Sequence, residues 1–224
     1  MKRVLLVAVF LGAMTLQAQE QINDKLTINK GTWTIGGNVS IGTNNSESTF
    51  ESNDDVFQRE SDQFSFSVFP RFGYAFSDNW MVGLVTEYSL SKTENENENP
   101  NSTLSTSEFK NESLALAPYV RRYFGVTKNL AFYAQGELGY GKSWSENIGS
   151  DQERRTSESY RFFVGLRPGI SFFASKNLAF ESSVGLLQYT SVTGENSSGT
   201  ENENRGFNLN LNTSNLLFGL SYFF

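Results

Sequence analysis

The feature that most constrains this chain is a strict two-residue alternation, repeated eight times along 224 residues. In "TWTIGGNVSIG" the residues Trp33, Ile35, Val39 and Ile41 share one parity, and Thr34, Gly36, Asn38 and Ser40 the other. In "FSFSVFPRFGYAF" Phe64, Phe66, Val68, Pro70, Phe72 and Tyr74 oppose Ser65, Ser67, Arg71, Gly73 and Ala75. A helix turns every 3.6 residues and cannot hold such a pattern on one face, whereas a strand does so automatically. Six further segments read the same way: Trp80–Leu90, Leu114–Phe124, Leu130–Tyr140, Tyr160–Phe172, Leu178–Leu186 and Leu216–Phe224. The expectation is an all-β chain of eight antiparallel strands.

The connections between these segments alternate in length. "SDNWMVGLVTEYSL" from Ser77, "TKNLAFYAQGELGYG" from Thr127 and "SKNLAFESSVGLLQY" from Ser175 are near copies, spaced about fifty residues apart as a repeated supersecondary unit would be. Each copy starts in a tight turn, at Ser77–Asn79, Gly125–Asn129 and Ala174–Asn177, where Asn, Asp, Ser and Gly tolerate or stabilise unusual backbone angles. The opposite connections are long and polar, and Thr43–Asp62, Ser91–Asn111, Lys142–Ser159 and Thr190–Gly206 are expected as loops. Short turns at one end, long loops at the other and aromatic residues near strand ends (Trp33, Tyr74, Trp80, Phe124, Phe172, Tyr222) fit an up-and-down transmembrane β-barrel, with the turns periplasmic and the loops extracellular. A soluble sandwich or lipocalin-like barrel also alternates, but it turns its polar face to water. Here the polar face is mostly Gly, Ala and Ser with a few charges, which suits the crowded concave side of a closed sheet.

The N-terminus supplies the compartment. Lys2 and Arg3 precede the apolar run Val4–Leu16, followed by "LQAQ", the plan of a secretory signal peptide with cleavage expected after Ala18. The run is too short to span a bilayer as a helix. The expected organisation is a signal peptide over 1–18, a short periplasmic segment over 19–31 and a barrel over 32–224. Cysteine is absent, so neither a disulfide nor a lipidated cysteine is available. With 24 acidic against 18 basic residues the net charge of −6 argues against a nucleic-acid partner.

On the inward parity stand Arg71, Glu87, Arg121, Glu137, Arg161, Arg167 and Glu181, with Arg on even-numbered strands and Glu on odd ones. An eight-stranded barrel has an interior that side chains can fill, and a buried charge without a partner costs several kcal/mol. These residues are therefore expected to form an ionic plug; the rival reading is a charged channel or proton path. Two places break the pattern. Arg122 falls on the outward face, near a turn where its side chain can snorkel to the interface. Phe207, Leu209 and Leu211 are odd-numbered whereas the apolar residues after them are even, so a register switch is expected within Asn212–Asn215.

The leader, the eight alternating segments, "PYVRRYFG" before the second turn and the ending "LSYFF" together resemble the small outer-membrane β-barrel proteins of Bacteroidetes, which are related in form to barrels of the OmpX and OmpA type. That resemblance implies location in the outer membrane of a Gram-negative bacterium, with lipid and lipopolysaccharide as neighbours. It also implies that the barrel-assembly machinery reads Leu220, Tyr222 and Phe224 as a C-terminal signal. The enzymes that resemble this architecture generally use histidine, the side chain that titrates near neutrality. This chain has none, and no loop offers a recognisable acid/base pair. Glu94, Glu96 and Glu98 of "TENENENP" share one face of an extended segment, but the stretch reads as a solvated low-complexity loop without metal-site spacing. No cofactor is implied. The sequence thus points to a non-enzymatic barrel with a closed, ion-paired interior and polar loops serving adhesion, defence or envelope integrity. The alternative is a narrow porin or a transporter of small hydrophobic molecules.

Overall fold

The computed structural model describes residues 25–52, 55–98, 105–149, 153–183, 186–195, 201–210 and 217–224; the expected leader and its cleavage site lie outside them. Among the described residues there are ten strands: β1 (Trp33–Ser52), β2 (Asp55–Ser77), β3 (Trp80–Glu98), β4 (Ser105–Gly125), β5 (Leu130–Ile148), β6 (Arg154–Phe173), β7 (Leu178–Ser183), β8 (Leu186–Glu195), β9 (Glu201–Asn210) and β10 (Leu217–Phe223). Every pairing is antiparallel. Strands β1 to β7 pair in chain order, β7 pairs with β10, and β10 returns to β1, so eight of the ten close a ring. The other two form the β8–β9 hairpin, with β8 continuing the line of β7 along β6.

Ten strands in place of eight, and strands where loops were expected, are the main departures from the sequence reading. The expected loops over 43–62, 91–111 and 142–159 are largely strand: β1 and β2 run on to Ser52 and Asp55, β3 and β4 to Glu98 and Ser105, β5 and β6 to Ile148 and Arg154. "TENENE", Thr93 to Glu98, is the outer end of β3. Among the described residues these extensions bury no apolar face, so hydrophobic periodicity is silent there. They persist because backbone pairing continues from a sheet that is already formed, helped by cross-strand side-chain pairs such as Lys92 with Glu108 at 3.3 Å. The expected seventh strand also breaks. Between Gly169↔Ser183 and Leu166↔Leu187 the chain advances three residues on β6 but four on the β7–β8 side. That slip of one residue exchanges faces, which the apolar doublet Leu186–Leu187 disguises in the sequence. The switch expected within Asn212–Asn215 lies outside the described residues; on either side of it Phe207 and Leu209, then Phe218 and Leu220, are exposed.

The outward face carries the apolar parity, including Ile35, Leu116, Leu138, Leu166 and Leu220, all exposed. The inward face is packed by large rings set over small residues. A Cβ on Gly139 would lie 2.1 Å from the Phe163 ring, one on Gly169 2.1 Å from Tyr133, and one on Gly83 2.6 Å from Tyr119. Glycine is required at those positions because the rings occupy the space of a side chain. Arg122, on the outward face, lies over Trp80 at 5.1 Å and Phe124 at 5.0 Å.

The repeated phrase has a structural purpose beyond the turn. Asn129 accepts from the backbone N–H of Phe173 through its carbonyl (2.7 Å) and donates from its side chain to the Phe173 carbonyl (3.0 Å). Asn177 makes the same two bonds with Phe223, at 2.7 and 2.6 Å. Asn79 accepts from the N–H of Tyr123 (2.8 Å), but its side chain is turned to the N-terminal segment, where Oδ1 accepts from the N–H of Ile28 at 2.9 Å. Asn79 is held at φ 62°, a region that asparagine tolerates better than most residues. The three copies therefore fix Tyr123, Phe173 and Phe223, three inward rings at the short-turn end.

Residues 25–32 form a strap across that end. The Leu26 N–H donates to the Thr127 carbonyl (2.9 Å), Lys30 N–H to Asp78 Oδ1 (2.8 Å) and Gly31 N–H to the Ala75 carbonyl (2.8 Å). Ile28 is buried in the same cluster as Tyr123, Phe173 and Phe223, and Leu26 packs against it.

Candidate functional site

Directly inside the aromatic end lies a layer of charge. Strand β7 projects Glu181 inward, β2 Arg71, β4 Arg121, β5 Gln135 and Glu137, and β6 Arg167, each on the parity opposite the exposed apolar residues of its strand. Glu181 bridges the lumen. It accepts from Arg121 Nη1 at 2.9 and 3.0 Å, from the Arg71 guanidinium and from Ser171 Oγ at 3.1 Å. Arg71 also donates to Ser221 Oγ at 2.9 Å. Arg121 donates through Nε and Nη2 to Gln135 Oε1 (3.0 and 2.6 Å) and through Nη1 to the Tyr123 hydroxyl (3.1 Å), and its guanidinium lies 4.0 Å from the Tyr133 ring centre. Gln135 relays to Glu137 at 2.8 Å, and Glu137 accepts from Arg167 at 2.9 Å. The layer is one connected network, in which all three nitrogens of the Arg121 guanidinium donate.

Of the seven inward charges read from the sequence, five join this network: Arg71, Arg121, Glu137, Arg167 and Glu181. The remaining two, Glu87 and Arg161, form a separate pair at 2.7 Å farther from the turns, with the Arg161 side chain about one-third exposed. Sequence reasoning missed Gln135, Ser171, Ser221 and Tyr133 as partners. Their one available signal was inward parity, and neutral side chains do not stand out on that face as charges do. Leu220, Tyr222 and Phe224 stand exposed on the outward face of the last strand, with the Phe224 backbone bonded to Trp33 in both directions, at 2.7 and 2.9 Å.

The arrangement leaves little free space. The void between the network and the Glu87–Arg161 pair, bounded by Asn38, Phe69, Val85, Tyr133 and the charged groups, measures about 20 Å³. That is room for a single water. A layer of fixed, mutually satisfied charges with so small a void beside it can hold the sheet in register and block the lumen. It presents no unpaired nucleophile, base or ligand set.

Comparison with known proteins adds the family. The profile of the family described as outer membrane protein beta-barrel domain matches residues 5–224. Among solved structures, the chain is similar to Ail, the attachment invasion locus protein of Yersinia pestis, with 16% identity over 87% of this chain and 99% of that one, at a TM-score of 0.33. It is similar also to the outer membrane protein OprG from Pseudomonas aeruginosa, with 14% identity over 88% of this chain and 97% of that one, at a TM-score of 0.30. No curated protein matches.

Proposed function

Since this chain belongs to the outer membrane β-barrel domain family, we propose that it is a sealed, non-enzymatic barrel of a Gram-negative outer membrane, whose work is done by the strand extensions it holds outside. The short turns and the strap face the periplasm in this reading, and the polar ends of β1 to β6 face the exterior. A leader over 1–18 is removed, and the assembly machinery reads Leu220, Tyr222 and Phe224. The observation that carries the proposal is the connected network around Glu181 and Arg121, beside a void of about 20 Å³. A conducting pore needs a continuous water path, whereas these charges are held by one another. What remains for function is a rigid wall carrying polar hairpins, suited to adhesion, defence or mechanical integrity of the envelope; binding residues concentrate on such projections.

The test is electrical. The protein is refolded into a planar bilayer, its folding is checked by heat-dependent gel mobility, and current is recorded at several salt concentrations. A silent bilayer is expected. Steady unitary steps that scale with salt would overturn the sealed reading and leave the narrow pore in its place.

A further inference from the structure

On the outward wall, just beyond the apolar band, three strands place nine residues in a square. The registers of β4, β5 and β6 give the rows Lys110–Glu146–Thr156, Glu112–Trp144–Glu158 and Leu114–Lys142–Tyr160. The next row, Leu116–Tyr140–Phe162, is wholly apolar or aromatic. Trp144 therefore stands at the centre of the square, flanked by Glu112 on one neighbouring strand and Glu158 on the other. It lines an outer-wall groove of about 540 Å³ together with Lys110, Glu112, Glu146, Thr156 and Glu158. Below it Lys142 Nζ lies 5.3 Å from both the Trp144 and the Tyr160 ring centres, and the Tyr140 and Tyr160 rings stack at 6.2 Å.

The charges around this indole balance. Lys110 pairs with Glu112 at 2.7 Å, Lys142 with Glu158 at 2.6 Å, and Arg154 with Glu146. Hydrogen bonding to Glu112 holds the Lys110 ammonium above its ordinary pKa, so it stays protonated. A phosphate approaching three cations and three carboxylates meets no net attraction. A neutral polyol does better: carboxylates accept from its hydroxyls, ammonium groups and Thr156 donate to it, and the indole face packs against the C–H side of a sugar ring. Height selects the source. The groove begins where the apolar wall ends, which in an outer membrane is the level of the outer-leaflet head groups.

We propose that the groove over Trp144 binds the neutral sugar head group of an outer-leaflet glycolipid. This rests on residence in the outer membrane but is independent of whether the lumen conducts. The test uses the W33F/W80F protein, in which Trp144 is the remaining tryptophan; Trp33 and Trp80 begin their strands at the other end of the wall. It is refolded into phosphatidylcholine vesicles carrying a minor fraction of a neutral dihexosyl diacylglycerol, the same fraction of phosphatidylglycerol, or neither. Expected is a blue shift of several nanometres in Trp144 emission with the sugar lipid alone, and its loss in an E112Q/E158Q variant that still shows heat-dependent mobility. No shift with the sugar lipid, an equal shift with phosphatidylglycerol, or a shift that survives E112Q/E158Q would each overturn the proposal. The same shift from free disaccharide at equal concentration would overturn the membrane source.

Discussion

Glu181 ties the two sides of the interior together, because it is the carboxylate that both Arg71 and Arg121 face, and its side chain is 1% exposed. Removing its charge strands two buried guanidinium groups. Breaking a buried pair from one side costs about 3–5 kcal/mol, so Glu181→Gln is expected to lower the free energy of unfolding, read by urea titration in phospholipid vesicles, by that much. Glu137→Ala should also destabilise clearly, since Glu137 is buried and Arg167 and Gln135 both depend on it. Glu87→Gln is the contrast: its partner Arg161 reaches solvent, and exposed pairs contribute about 0–1 kcal/mol. An equal loss for Glu87→Gln and Glu181→Gln would mean that the interior is wet and screened, not a dry layer. Parity made the inward placement of these charges legible in the sequence. Their partners were not legible, because Glu181 reaches Arg71 and Arg121 only when the sheet has curled round, and sequence distance says nothing of that.

Strands whose two faces meet different surroundings could be read, and strands with two polar faces could not. Trp33 to Ile41 alternates because lipid lies on one side and packed rings on the other; Thr43 to Thr49 is solvated throughout and reads as loop although it pairs residue for residue with β2. The same reasoning separates what each part contributes. The extensions add backbone pairing without core, so replacing 93–109 by a two-residue Asn-Gly turn, which keeps Lys92 opposite Lys110, should leave the unfolding midpoint nearly unchanged; a large drop would show that the hairpins support the barrel. The strap is the opposite case, short but buried at Ile28. Ile28→Ala removes apolar volume beside Phe173 and Phe223, a change that costs about 2–5 kcal/mol at a fully buried site. It should also loosen the chain at Lys30, whose backbone is tied to Asp78. Trypsin cleavage after Lys30 should accordingly be slow in the native protein and fast in the variant, and equal rates would show that the strap does not depend on its buried isoleucine. The sequence offered no warning of the strap, because a single isoleucine in "LTINKG" has no period to reveal it.

At the scale of the whole molecule the ring is unevenly joined. Among the described residues β1 meets β2 over twenty residue pairs but meets β10 over only five, from Thr34↔Phe223 to Asn38↔Gly219. Every other joint of the ring forms between neighbours in sequence or, for β7 with β10, across one outer hairpin. The β1–β10 joint must bring the two ends of the barrel together, and loop closure of that span is the largest entropy cost in the fold. It is thus the last contact to reward folding, and with five pairs it is no longer than the β6–β7 joint, which forms between neighbours in sequence. A cross-link there should act on the costliest closure, and the absence of native cysteines makes the experiment clean. Ile35 and Tyr222 are direct partners on the exposed face of the seam, as Phe124 and Phe132 are on β4 and β5. An I35C/Y222C bridge closes a loop of 187 residues (35 to 222), against 8 (124 to 132) for F124C/F132C. By chain entropy alone the longer loop gains about 3 kcal/mol more, and a bridge at the short seam adds local reinforcement where pairing is scarce. The temperature at which the folded band shifts on a gel should therefore rise markedly for I35C/Y222C under oxidising conditions, return with reductant, and change little for F124C/F132C. Equal rises for the two bridges would mean that opening does not begin at the seam, and that the five-pair joint is as firm as the long ones.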